Sequence, residues 1–348
     1  MITIDGSQGE GGGQILRTSI GLAAALGKSV EVSGIRAGRQ RPGLRPQHLA
    51  AVRAAAAVCN AEVTGAELGS MKITFRAGPV RSGKFRFDIG TAGSGTLVLQ
   101  TIIPALMVSE GRSEVTVIGG THNPLAPCFE YFRDVFGVLG SAANLQMYVE
   151  MARAGFYPGG GGEISMQIRG VGSAKNVAPI RLTHRGELRY VEGLSAASYS
   201  LAAHIIERQT SQTLGRLAAA EHRATVEQAV WETVSPGTVV FLRSVFSRTV
   251  AGNFVLGARS KPAERVADEA VDQMLAFLDS PGVVDAHAGD QLVTLAGLCP
   301  AESHFITERL TDHLQTNAAV IRRLTGRRIS IEPKRSGSAS VTVHEAEA

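Results

Sequence analysis

"MITIDGSQGEGGGQILRTSIGLAAALG", residues 1–27, reads as a strand, a glycine loop and a helix. Alternating apolar residues give the strand, and apolar positions at helical spacing from Ile15 onward give the helix. Gly27 stands where a left-handed cap ends such a helix. The same succession returns at residues 85–111, "FRFDIGTAGSGTLVLQTIIPALMVSEG". Each is followed by an alternating strand, "SVEVSGI" (29–35) or "EVTVIGG" (114–120). A polar turn and a second helix come next, "RPGLRPQHLAAVRAAAAVCN" (41–60) against "NPLAPCFEYFRDVFGVLG" (123–140). Strand hairpins around 61–77 and 144–169 close the two copies. The repeating unit is therefore β-α-β-α-β-β, about 80 residues long.

A third copy starts near Val284. It runs through "DAHAGDQLVTLAGLC" (285–299), "ESHFITER" (302–309), "LTDHLQTNAAVIRRLTG" (310–326) and a closing hairpin, "RRISIEPKRSGSASVTVHE" (327–345). Its first loop keeps only Gly289. Residues 183–280 do not fit the repeat. They read as a strand (187–193), a helix (197–219), three strands (225–232, 237–245, 250–257) and a helix (262–279) with Pro262 at its start. The expected fold is α/β (α+β). Three repeated units, about 1–80, 81–182 and 281–348, form a large domain of 1–182 and 281–348. A smaller α/β domain, 183–280, is inserted between the second and third units.

The composition of the 348 residues, 44% hydrophobic and 19% charged, belongs to a packed globule. Forty glycines are too many for a simple helical bundle. A net charge of +4 and a pI near 9.1 permit an anionic partner without demanding one. "GIRAGRQRPGLR" (34–45) concentrates Arg36, Arg39, Arg41 and Arg45, either as a solvated loop or as a phosphate-contacting surface. Cys59, Cys128 and Cys299 show no metal-ligand spacing, so zinc is not expected. Their sparse, odd number fits a reducing compartment. No signal-peptide pattern and no apolar run of about 20 residues is present, so no membrane partner and a cytoplasmic location are expected.

The glycine loop "GEGGGQ" (9–14) is neither a Walker A loop nor a dinucleotide fingerprint. Its glycines serve a tight strand–helix turn or a backbone cradle for an anion. A carboxylate, Glu10, stands inside it. Among phosphate-facing amides it makes sense if a Mg²⁺ or Mn²⁺ bridges it to the phosphates. Gln14 and Arg17 follow on the first turns of the helix. In the second copy Ser94 and Thr96 can cap the helix. Gln100, one turn further and amid apolar residues, is a core hydrogen-bonding group or a contact to a base or sugar. His313 opens the second helix of the third copy, beside Asp312, Thr316 and Asn317. It is either a cap-region surface histidine or one able to reach an anion at the repeat centre.

"DGSQGEGGGQILR", "IRAGRQRPGLRPQHL", "GTAGSGTLVLQ", "GGTHNPLAP", "GFYPGGGGE" and "HLQTNAAVI" together resemble the RNA 3′-terminal phosphate cyclase family, in order and over nearly the whole chain. The resemblance implies a ligase that uses ATP and a divalent metal, Mg²⁺ or Mn²⁺, on RNA with a 3′-terminal phosphate. It implies a histidyl–AMP intermediate, with His313 as the matching nucleophile, and then an RNA–AMP anhydride that closes to a 2′,3′-cyclic phosphate. Gln100, Pro127, Asp290 and Gln291 match nucleotide-site positions, and Glu10 the metal-holding carboxylate. His287 stands where the family often has an aromatic against the base. Arg17, Arg36, Arg39 and Gln47 match positions near the RNA end or phosphates. Non-catalytic relatives acting in ribosome assembly lack the histidine, and enolpyruvyl transferases share the repeat without "TDHLQTN".

Overall fold

The computed structural model of the chain describes residues 1–9 and 11–346. Glu10 lies outside the described residues. In the first unit β1 (Ile2–Asp5), α1 (Gln14–Leu26) and β2 (Ser29–Ser33) are followed by α2 (Pro46–Cys59), β3 (Glu62–Thr64) and β4 (Ile73–Arg76). Their sheet has the order β1-β2-β4-β3, parallel at β1/β2 and antiparallel elsewhere. The second unit repeats this connectivity. It comprises β5 (Lys84–Asp88), α3 (Gly95–Val108), β6 (Arg112–Gly119), a helical stretch, β7 (Gln146–Arg153) and β8 (Gly162–Arg169), ordered β5-β6-β8-β7. The helical stretch is α4 (Phe129–Tyr131), a π turn (Phe132–Phe136) and α5 (Gly137–Gly140).

After β9 (Arg181–Leu182) the chain leaves the repeat for β10 (Leu188–Ser198), α6 (His204–Ala219), β11 (Ala224–Trp231), β12 (Thr238–Phe246), β13 (Val250–Leu256) and α7 (Ala263–Asp279). The four strands pair in the order β11-β10-β12-β13. The chain returns through α8 (Ala286–Leu298), β14 (Ser303–Thr307), α9 (Asp312–Thr325), β15 (Ile329–Pro333) and β16 (Ala339–Val343). The order of the last sheet is β15-β16-β14-β9. The first-strand place beside β14 is shared by β9, parallel at His304 and Phe305, and by Val284, parallel at Thr307. Residues 183–280 lie in sequence between these two segments. A two-residue strand carries no readable alternation, which is why sequence periodicity passes over it.

Strands such as β2 and β6 alternate buried and more exposed residues, so each sheet has one covered face. The covering helices also pack on one another: α1 touches α2, α3, α8 and α9, and α3 touches α2 and α8. One apolar cluster runs through all three units and reaches Phe241 and Val250, while a second joins Val191, Leu217, Val240, Leu242, Val266 and Val271 within 183–280. The approach of α1 to α3 is close enough that a Cβ at Gly21 would collide with the Thr101 carbonyl. A buried contact joins 183–280 to the second unit. The His122 ring bonds Glu130 at 2.8 Å and lies against Phe156 and Trp231, 5.1 and 5.0 Å between centroids. No helix among the described residues is long and apolar enough to cross a membrane.

Candidate active site

Each unit runs from an outer strand through a loop into a helix, and the repeat brings these helix starts together. A chain of side-chain contacts links them. Asn317, fully buried on the second turn of α9, accepts from the Thr18 hydroxyl at 2.7 Å and from Gln14 Nε2 at 3.2 Å. Its Nδ2 donates to the Asp290 carbonyl at 2.6 Å. One amide thus ties α1, α8 and α9. Gly13, at the start of α1, has no room for a Cβ because the His48 ring of α2 lies against it. Gln47, next to His48, accepts from the Ser94 N–H at 3.1 Å, joining the starts of α2 and α3. Aligned helix N-termini carry partial positive charge and free N–H groups, a setting that favours anions.

His313 is the second residue of α9, whose N-cap Thr311 accepts from the Leu314 N–H at 2.9 Å. The Thr311 hydroxyl also donates to the Asp290 carboxylate. Burial pushes that carboxyl up, to about 7, against the opposing pull of the Thr311 hydroxyl and the His313 cation. Asp290 is therefore poised near neutrality beside His313. Arg17 donates to Gln14 Oε1 at 2.9 Å, and both line a cavity of about 40 Å³ with Gln100 and Gln291. Gln100 Nε2 and Gln291 Oε1 are sealed from solvent and have no hydrogen-bond partner.

The other expected residues lie on the loops before α2 and α4 and on the first turn of α8. The Pro127 carbonyl accepts from the Thr96 hydroxyl at 2.8 Å, which holds the 121–127 turn against the start of α3. Ser94 caps α3 by accepting from the Leu97 N–H. His287 is exposed and meets Tyr131 edge-on, lining a separate cleft with Asn253, Glu308 and Arg309. Asp285, the N-cap of α8, accepts from the Tyr131 hydroxyl at 2.6 Å and the Gly252 N–H at 3.2 Å. It fixes α8 to both the second unit and β13. Arg36 adopts φ 55° and donates to the carbonyls of Arg41 and Gly43, bracing its own loop. Arg39 is exposed on that loop. Among the described residues no group of three His, Cys, Asp or Glu side chains is arranged to hold a metal.

Sequence reasoning passed over His48 and did not foresee the linking role of Asn317. The available signal for His48 was a polar side chain on a helix face otherwise made of Ala, Val and Leu. Burial above all, and then Arg17, Arg36 and Arg45, depress the His48 ring from 6.5 to about 3. The unfolded chain then binds its proton first. Stability should fall as pH drops from 6.5 towards 3, by about 1.4 kcal/mol per pH unit from this group. Urea midpoints across that window should show the loss in the parent and a shallower one in His48→Gln. Equal slopes would remove His48 as the cause.

A family model described as RNA 3′-terminal phosphate cyclase matches residues 8–331. Similar proteins carrying that name include one from Methylococcus capsulatus, 41% identical over 99% of this chain and 96% of its own length. Another, from Trichormus variabilis, is 38% identical over 100% of this chain and 97% of its own. A third, from Hyperthermus butylicus, is 40% identical over 93% and 91%.

Proposed function

The chain belongs to the RNA 3′-terminal phosphate cyclase family, and from this we propose that it converts an RNA 3′-terminal phosphate to a 2′,3′-cyclic phosphate with consumption of ATP. The observation that carries this reading is the pair of unpartnered amide atoms on Gln100 and Gln291 in one cavity with Arg17. A buried polar group left unsatisfied costs about 1–3 kcal/mol. A ligand edge carrying both donors and acceptors, such as that of a nucleobase, would relieve that cost once a small opening of the 40 Å³ cavity admits it.

In the proposed sequence a neutral ring nitrogen of His313 attacks the α-phosphorus of ATP. A P–N bond forms and diphosphate leaves. The RNA 3′-phosphate oxygen then takes the AMP, breaking the P–N bond and forming an anhydride. The vicinal 2′-hydroxyl attacks the 3′-phosphorus, loses its proton, and expels AMP. Activation is needed because a phosphate monoester repels nucleophiles and has a poor leaving group. Gln100, Asp290 and Gln291 hold the nucleotide, with Pro127 towards the base; His287, in its separate cleft, is assigned to the base by the family match alone. Arg17, Arg39 and Gln47 receive the RNA phosphate. Arg36 keeps the loop in shape and retains donors for the same anion. The same reading treats 183–280 as an inserted domain, which the second apolar cluster supports.

A cation held by one carboxylate and the ATP phosphates needs no three-residue protein cluster. We assign that carboxylate to Glu10; a divalent cation bound there would neutralise phosphate charge. Glu10→Gln should raise the Mg²⁺ or Mn²⁺ concentration for half-maximal enzyme adenylation by about tenfold, because an amide oxygen is a weaker ligand for a hard cation. An unchanged metal titration would make Glu10 a loop residue only. The function is tested by incubating the protein with ATP and a 3′-phosphorylated RNA. A phosphatase-resistant cyclic end is expected, and an unaltered end would overturn the assignment.

A further inference from the structure

A second concave surface adjoins the Gln47–Ser94 contact. The groove lies between one face of α2, with Pro46, Leu49 and Arg53, and β5 with the turn after it, through Phe87 and Thr91. Leu68, 65% exposed, stands at its rim, and the volume is about 470 Å³. Successive residues of α2 serve both places: Gln47 faces the candidate active site, while Pro46 and Arg53 face the groove. Opposite them, Thr91 lines the groove three residues before Ser94. The groove therefore opens where the proposed RNA phosphate site ends.

Its chemistry is mixed in a specific way. Arg53 is exposed and its guanidinium forms no ion pair among the described residues. Arg86 is tethered to Glu163 at 3.3 Å, and Asp88 accepts from the Gly90 N–H at 2.7 Å. Among the described lining residues the cation without a carboxylate partner is Arg53, and Asp88 supplies one carboxylate on the opposite wall. Phe87, half-buried, and Leu68 add apolar surface. A cation spaced along an apolar, partly aromatic wall suits single-stranded nucleic acid, whose phosphates take the charge and whose bases take the apolar faces.

We propose that this groove binds the RNA strand immediately 5′ of the terminal phosphate. The proposal rests on the functional reading above. From Pro46 to Arg53 the α2 wall runs about 10 Å, which fits roughly three stacked nucleotides. Substrate length is therefore the discriminating variable: a dinucleotide occupies the phosphate site alone, and a decanucleotide also fills the groove.

The test measures binding of fluorescent 3′-phosphorylated RNAs, two and ten nucleotides long, by anisotropy, beside cyclic-phosphate formation from each. Arg53→Glu should weaken decanucleotide binding and raise its KM by about tenfold, leaving the dinucleotide and enzyme adenylation unchanged. Arg53→Lys should recover most of the loss. Arg53→Ala should flatten the salt dependence for the decanucleotide by roughly 0.7 in log–log slope. Equal effects on both lengths, or none on either, would overturn the groove assignment. So would a length preference in the parent protein that Arg53→Glu leaves intact, since another surface or a protein partner would then be involved. Cyclic product missing from the parent with both RNAs refutes the functional reading, while the anisotropy series still decides the groove.

Discussion

His313→Ala should lose covalent AMP labelling and RNA cyclisation together, by about 10⁴-fold or more. The expectation rests on position and chemistry. His313 sits at the start of α9, beside a carboxyl that burial holds near neutrality. The neutral form of an imidazole has a lone pair on its unprotonated ring nitrogen to offer phosphorus. The side chain is only partly buried, so its removal leaves no large cavity, and the thermal midpoint should stay close to the parent's. His313→Asn is the stricter variant, because it keeps a polar group and a similar reach but has no ring nitrogen. Its activity should be equally low. Cyclisation by a pure His313 variant at more than about one part in a hundred of the parental rate would take the residue out of the nucleophile's role.

Asn317→Ala should fail in another way, through stability as well as rate. The substitution removes three hydrogen bonds between helices and leaves the Asp290 carbonyl and the Thr18 hydroxyl with fewer partners in a fully buried setting. At about 1–3 kcal/mol for each group left unsatisfied, the expected loss is roughly 2–4 kcal/mol. Loosening the tie between α8 and α9 also lets His313 drift from Asp290. Adenylation should therefore slow even at temperatures where the variant remains folded. Asn317→Asp keeps the two acceptor contacts but loses the donor to Asp290, and should fall between. Denaturant unfolding and single-turnover labelling on the same preparations separate the two effects. Parental stability in Asn317→Ala would show that the three helices do not depend on this junction.

The repeat was legible because it rests on period. Strand alternation and helical spacing recur in 1–60 and 85–140, and the structure gives both copies the same sheet connectivity. The third unit was legible only from α8 onward, since β9 is two residues long and separated from its partners by about 120 residues of sequence. In 183–280 the first strand runs to Ser198 and the helix begins at His204, where sequence had put a helix start near 197. Small residues in "LSAAS" fit either element, and pairing with β11 and β12 decides for the strand. At the site, motif residues could be named one by one, but their linkage could not. That Asn317 meets Gln14 and Thr18 across some 300 positions is a consequence of packing. His48 gave no motif signal, and its depressed titration comes from burial beside arginines that only the folded loop assembles.

In the proposed sequence one histidine carries AMP between ATP and RNA. The most direct test is to label the parent protein with α-labelled ATP and a divalent cation, digest it with trypsin, and find the labelled peptide. Cleavage after Arg309 and Arg322 releases "LTDHLQTNAAVIR", residues 310–322, in which His313 is the only histidine. Acid-labile label confined to that peptide, and discharged on adding 3′-phosphorylated RNA, is the predicted result. Label on any other peptide, or none at all from a preparation that forms cyclic phosphate, would contradict the account.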